Sequence, residues 1–158
     1  MSKTLRVLIV EDSEDDALLL LRELRRGGYN PAHVRVEEAE AMQAALEQQE
    51  WDVVLSDYSM PHFSAPAALA LLQRSGIDLP FIIVSGTIGE AVAVAAMKAG
   101  AHDYLIKGQL ARLIPAVERE MREARIRREG SLAEDALRHR ENYFRALIEN
   151  VSDIITTL

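Results

Sequence analysis

The chain has 158 residues, room for one domain and a modest additional segment. Hydrophobic residues make up 49% and charged residues 27%, enough for a real core in an ordinary water-facing protein. A net charge of -7 argues against a nucleic-acid-binding surface as the main business of the chain, the lack of cysteine excludes disulfides and thiol chemistry, and no apolar run is long enough to span a bilayer. Met1 to Arg6 leads straight into a strand-like run without a signal-peptide core, so a cytoplasmic location with no membrane partner is the expectation.

Leu5 to Val10 reads as a buried strand ending in Glu11-Asp12-Ser13. Ser13 is placed to cap a helix built on Ala17 and the leucines that follow, with Asp15 and Asp16 near its positive end and Gly27-Gly28 at its stop. Ala32 to Val36 predicts a short strand, and Glu38 to Gln49 an amphipathic helix with Ala41, Ala44, Ala45 and Leu46 inward. Val53-Val54-Leu55 is a third strand that ends abruptly near Asp57, before Pro61 halts regular structure. Ser64 to Arg74 is a helix, with Pro66 near its start and Gly76 after its end. Phe81 to Val84 is a fourth buried strand running into Ser85-Gly86, and Glu90 to Lys98 a small alanine-rich helix closed by Gly100. Tyr104 to Ile106 is a fifth strand, ending in Lys107-Gly108. Strands alternating with helices through short loops imply a parallel sheet covered on both faces, an α/β fold.

The strand ends carry the chemistry. The first brings Glu11 and Asp12, the third Asp57, the fourth Ser85 and the fifth Lys107, and a parallel sheet gathers all of them along one edge. Close carboxylates repel, so one of them has a raised pKa unless a cation is present. An all-oxygen donor set suits Mg²⁺, and the absence of a nearby histidine or cysteine argues against zinc. A lysine and a hydroxyl beside a metal-bound carboxylate are what phosphoryl chemistry needs. Taken singly, each residue has an ordinary explanation as a turn residue, a solvated lysine or a helix-dipole acid; together, at four strand ends, they point to one site.

Glu11-Asp12, Asp57 with Met60-Pro61 after it, Ser85-Gly86, and Tyr104 three residues before Lys107 occur in the order and spacing of a known family. By these motifs segment 1–125 resembles the receiver domain of two-component response regulators. The resemblance implies a doubly wound, flavodoxin-like five-stranded parallel sheet in the order 2-1-3-4-5. It implies that Asp57 accepts a phosphoryl group from a histidine kinase or phosphotransfer protein, the domain promoting its own Mg²⁺-dependent phosphorylation and dephosphorylation. Asp12, Asp57 and the backbone carbonyl of Ser59 would bind Mg²⁺, with Glu11 acting through metal-bound water. Lys107 would pair with the phosphoryl group, Ser85 would hydrogen-bond it, and Tyr104 would be the switch aromatic.

Two positions depart from the family pattern. Gly108 follows the lysine where proline is usual, so a trans Lys107–Gly108 bond is expected, cis costing roughly 2.5–4 kcal/mol without proline. His62-Phe63-Ser64-Ala65 stands where a glycine usually precedes the next helix.

Leu113, Val117, Met121 and Ala124 recur at helical spacing, so a helix beginning near Leu110 should run past Arg125 into a charged stretch. Residues 126–142 read as a helical linker. Residues 143–158, opening on Tyr143-Phe144 and containing Ile154-Ile155, resemble the start of a PAS sensor domain, which implies a longer signalling protein with a downstream sensor or output domain. So polar a helix is either solvent-bridging or pairs with another copy, and a homodimer made through the segment after Leu110, with the Asp57 site of each copy left accessible, is the expectation. The alternative function is a receiver-like interaction module that works without phosphorylation, against which intact Asp12, Asp57, Ser85 and Lys107 weigh. A free-standing phosphohydrolase would need an acid where Ser59 stands, and a Rossmann cofactor site lacks its glycine-rich loop after the first strand.

Overall fold

The computed structural model describes residues 2–58, 60–86 and 89–130. Five strands, β1 (Lys3–Val10), β2 (Tyr29–Val36), β3 (Val53–Ser56), β4 (Phe81–Ser85) and β5 (Asp103–Ile106), form one sheet in the order β2-β1-β3-β4-β5. Every pairing is parallel. Parallel neighbours need crossovers, and the helices supply them: α1 (Glu14–Arg26), α2 (Ala39–Gln48), α3 (Ala65–Ser75) and α4 (Glu90–Ala99). The strand order is the one that the resemblance implies.

The central strands are buried on both faces, and their alternating side chains enter two separate cores. Leu8, Val10, Val54, Phe81 and Ile83 pack with residues of α2 and α3 and with Ala96 of α4. Leu5, Val7, Ile9, Val53, Leu55, Ile82, Val84 and Leu105 pack on the other side with Leu20, Leu21 and Leu24 of α1 and with Leu113, Ala116 and Val117. Unbroken apolar runs therefore mark β1, β3 and β4, because neither face needs a polar residue.

Three local departures from the sequence reading have physical causes. β2 begins at Tyr29, not Ala32, and includes Pro31; only β1 pairs with it, and an edge strand tolerates proline. In α2, Ala41 and Ala44 are exposed while Met42, Ala45 and Leu46 are buried. A stripe at positions i, i+3 and i+4 cannot also hold residues one place before its first two members. After β5 the chain forms a 3-10 helix, Lys107–Arg112, with a kink at Gln109, before α5 runs over residues 113–130. The expected continuation past Arg125 is thus present.

The loop before α3 has no glycine and needs none. Phe63 is buried, Ser64 accepts a hydrogen bond from the Ala67 N–H at 3.3 Å, and the Ala65 N–H donates to the Tyr58 carbonyl at 3.0 Å. No non-glycine residue with positive φ and no cis peptide bond occurs among the described residues. Contacts divide the chain into two compact units, Met1–Ala124 and Arg125–Leu158. Residues 131–142 of the expected linker and the PAS-like opening expected over 143–158 lie outside the described residues, as does Ser59.

Candidate functional site

Parallel register brings the acidic residues together. Val10 pairs with Ser56 at the carboxyl ends of β1 and β3, so the residues that follow, Glu11 and Asp57, leave the sheet side by side. The Asp57 N–H continues the ladder by donating to the Val10 carbonyl at 2.8 Å, and the Glu11 N–H donates to the Val36 carbonyl at 3.0 Å. Backbone pairing thus aims both side chains off the same edge. One carboxylate oxygen from each of Glu11, Asp12 and Asp57 falls within a set no more than 4.8 Å across. Glu11 is buried, Asp57 partly buried and Asp12 exposed.

Lys107 enters this cluster from the end of β5. Its Nζ lies 2.6 Å from Asp16 Oδ2, 3.0 Å from Glu11 Oε2 and 3.6 Å from Asp57 Oδ2. Burial works against its charge, but contacts with Asp16 and Glu11 and the field of Asp57 outweigh it, holding the ammonium well above the ordinary lysine range. Glu11 is raised as well, which for a carboxyl favours the neutral form. Burial raises its carboxyl to about 7, against the Ser13 N–H and Lys107, which favour the charged form. Although close to Nζ, Glu11 Oε2 accepts no well-aligned hydrogen bond among the described residues.

Ser85 is the buried last residue of β4 and pairs in register with Ile106, next to Lys107. Tyr104 packs with Tyr58 against the α2–α3 core, and its buried hydroxyl has no aligned hydrogen-bond partner among the described residues. Burial raises that phenol, the nearby Ser85 hydroxyl acts against the rise, and the Asp57 charge adds to it. Glu11, Asp12, Asp57, Ser85, Tyr104 and Lys107 therefore meet at one edge of the sheet.

Asp16 joins the site without having been singled out for it, since an acid in the first turn of a helix has an adequate explanation in the helix dipole. The available signal was its place on the turn directly after the acidic loop. That turn passes beside the strand ends.

The donor set fits a hard divalent cation: clustered carboxylates, one of them buried with an oxygen that lacks an aligned donor among the described residues, and no histidine or cysteine among the grouped ligands. Residues 7–118 match the response regulator receiver domain. The chain belongs to this family. The receiver is 35% identical over 129 residues to the transcriptional regulatory protein PrrA of Mycobacterium bovis, an alignment covering 81% of this chain and 52% of PrrA. The chain thus spans about half the length of that curated relative. It is 28% identical over 115 residues to the chemotaxis protein CheY of Thermotoga maritima, covering 72% of this chain and 95% of CheY. Full-length FixJ from B. japonicum superposes with a TM-score of 0.68 at 26% identity, covering 78% of this chain and 60% of FixJ.

Proposed function

We propose that this receiver is a phosphoacceptor module in which Asp57 takes a phosphoryl group from a histidine kinase or phosphotransfer protein. The observation that carries the reading is Lys107 Nζ standing 3.6 Å from Asp57 within the Glu11–Asp12–Asp57 cluster. A carboxylate oxygen of Asp57 attacks phosphorus, a P–O bond forms, the P–N bond of the phosphohistidine breaks, and the imidazole leaves with the electron pair. Asp12, Asp57 and the Ser59 carbonyl would hold Mg²⁺, with Glu11 acting through its water. When bound, Mg²⁺ supplies neutralisation of the phosphoryl oxygens. Lys107 supplies a second positive charge to the same oxygens, and Ser85 a hydrogen bond from its hydroxyl. Tyr104, beside Ser85, is suited to respond to that hydrogen bond as a switch.

In the same reading the receiver is residues 1–125, residues 126–142 link it to a downstream sensor or output domain, and residues 143–158 open a PAS-like domain. The protein works in the cytoplasm and as a homodimer. No helix among the described residues is long and apolar enough to cross a membrane. Incubation with radiolabelled acetyl phosphate and Mg²⁺ tests the central claim. The parent should become labelled and Asp57→Asn should not; equal labelling of both would place the nucleophile elsewhere.

A further inference from the structure

The phosphoacceptor reading, on which this inference rests, leaves Asp16 without a part. Yet Asp16 makes the shortest contact of Lys107, at 2.6 Å. Its position is fixed from two sides. Ser13 Oγ accepts a hydrogen bond from the Asp16 N–H at 3.2 Å, while the Ser13 N–H donates to Glu11 Oε1 at 3.1 Å. One capping residue therefore holds the Glu11 carboxylate and the backbone that carries Asp16. Behind Asp16, α1 is anchored by buried Ala17, Leu20, Leu21 and Leu24, so the carboxylate is carried on a rigid element.

One ammonium cannot sit equally close to three separated carboxylates. It lies nearest to Asp16, at the rim of the site, and farthest from Asp57. Without Asp16, the acidic groups left within ion-pair distance of Lys107 among the described residues are Glu11 and Asp57. Both belong to the cluster that suits a divalent cation. A lysine settled between them would place its own charge where the cation must go, and like charges at that range repel. We propose that Asp16 is a positioning residue: it draws the Lys107 ammonium to one side of the Glu11–Asp12–Asp57 cluster and keeps those carboxylates available to a divalent cation.

Removing Asp16 also removes a negative charge that attracts any cation, so a single variant does not separate the two effects. A double-mutant cycle does. Mg²⁺ affinity is measured by calorimetry for the parent, Asp16→Asn, Lys107→Met and the double variant, with Asp16→Ala as a second form that leaves no acceptor at position 16. Asp16→Asn should weaken Mg²⁺ binding roughly two- to fivefold, the scale of a partly exposed ion pair. In the Lys107→Met background most of that weakening should vanish, because no lysine is left to move. Equal weakening in both backgrounds, or none in either, overturns the positioning role while leaving the phosphoacceptor reading intact. A parent that binds no Mg²⁺ at millimolar concentration overturns both.

Discussion

Glu11 carries the sharpest conflict in the receiver, a carboxylate that is 1% exposed and stands among other acids. Burial raises its carboxyl from 4.5 to about 7. Because the folded value lies above the unfolded one, the fold favours the protonated form. The stability this contributes is fully present below about pH 4.5 and is lost as pH rises through about 7. A rise of that size corresponds to about 3 kcal/mol. Glu11→Gln removes the charge while keeping an oxygen for the Ser13 N–H. In Mg²⁺-free buffer the variant should be more stable than the parent by about 1–3 kcal/mol at pH 8, and nearly equal to it at pH 4.5. Urea unfolding followed by the fluorescence of Trp51, the chain's single tryptophan and a buried one, measures both. The same offset at both pH values would show that Glu11 titrates normally. Most residues of this site were legible in the sequence, because a parallel sheet sends every strand end to one edge whatever the details of packing. Asp16 was not, because its partner lies 91 positions away, and nothing local distinguishes a helix-dipole acid from one that holds a distant lysine.

At the scale of elements, α2 shows where sequence patterning loses resolution. Alanine is small enough to sit on either side of a helix, so four inward positions drawn from an alanine-rich stretch carry little information about which face is buried. Met42 decides it: the side chain is fully buried, in the core formed with Val36, Leu46 and Trp51. Trp51 in turn donates its ring N–H to the Ala45 carbonyl at 2.9 Å, fastening the end of α2 to the start of β3. Met42→Ala should lower stability by about 2–4 kcal/mol, the usual range for emptying a core position. Ala44→Ser, on the exposed side, should stay within about 0.5 kcal/mol of the parent. Thermal unfolding of the two variants checks the assignment, and comparable losses would mean that the helix presents a different face. Strands were easier to read than α2 because β1, β3 and β4 bury both faces and leave no choice of side. The edge strand β2 was harder: most of its residues are exposed, and Tyr29-Asn30-Pro31 at its start, though Pro31 is buried, form no apolar run.

At the scale of the whole molecule, α5 is built differently along its length. Leu113, Ala116, Val117 and Ala124 are buried, and helical hydrogen bonding then continues to residue 130, with residues 125–130 all exposed. This last stretch includes Ile126, 61% exposed, among Arg125, Arg127, Arg128 and Glu129. Helix stability comes mainly from burying an amphipathic face, and a stretch that buries nothing is marginal in water. Pairing with the same stretch of a second copy would cover Ile126 while the mixed charges remain at the rim of the contact, as in helices that associate in parallel. The full chain should therefore sediment as a dimer at tens of micromolar, and a version ending at Arg125 as a monomer with its acetyl-phosphate labelling unchanged. Ile126→Glu in the full chain should shift the equilibrium toward monomer by placing like charges across the contact. Monomers for both lengths would assign the segment after Ala124 a linking role alone.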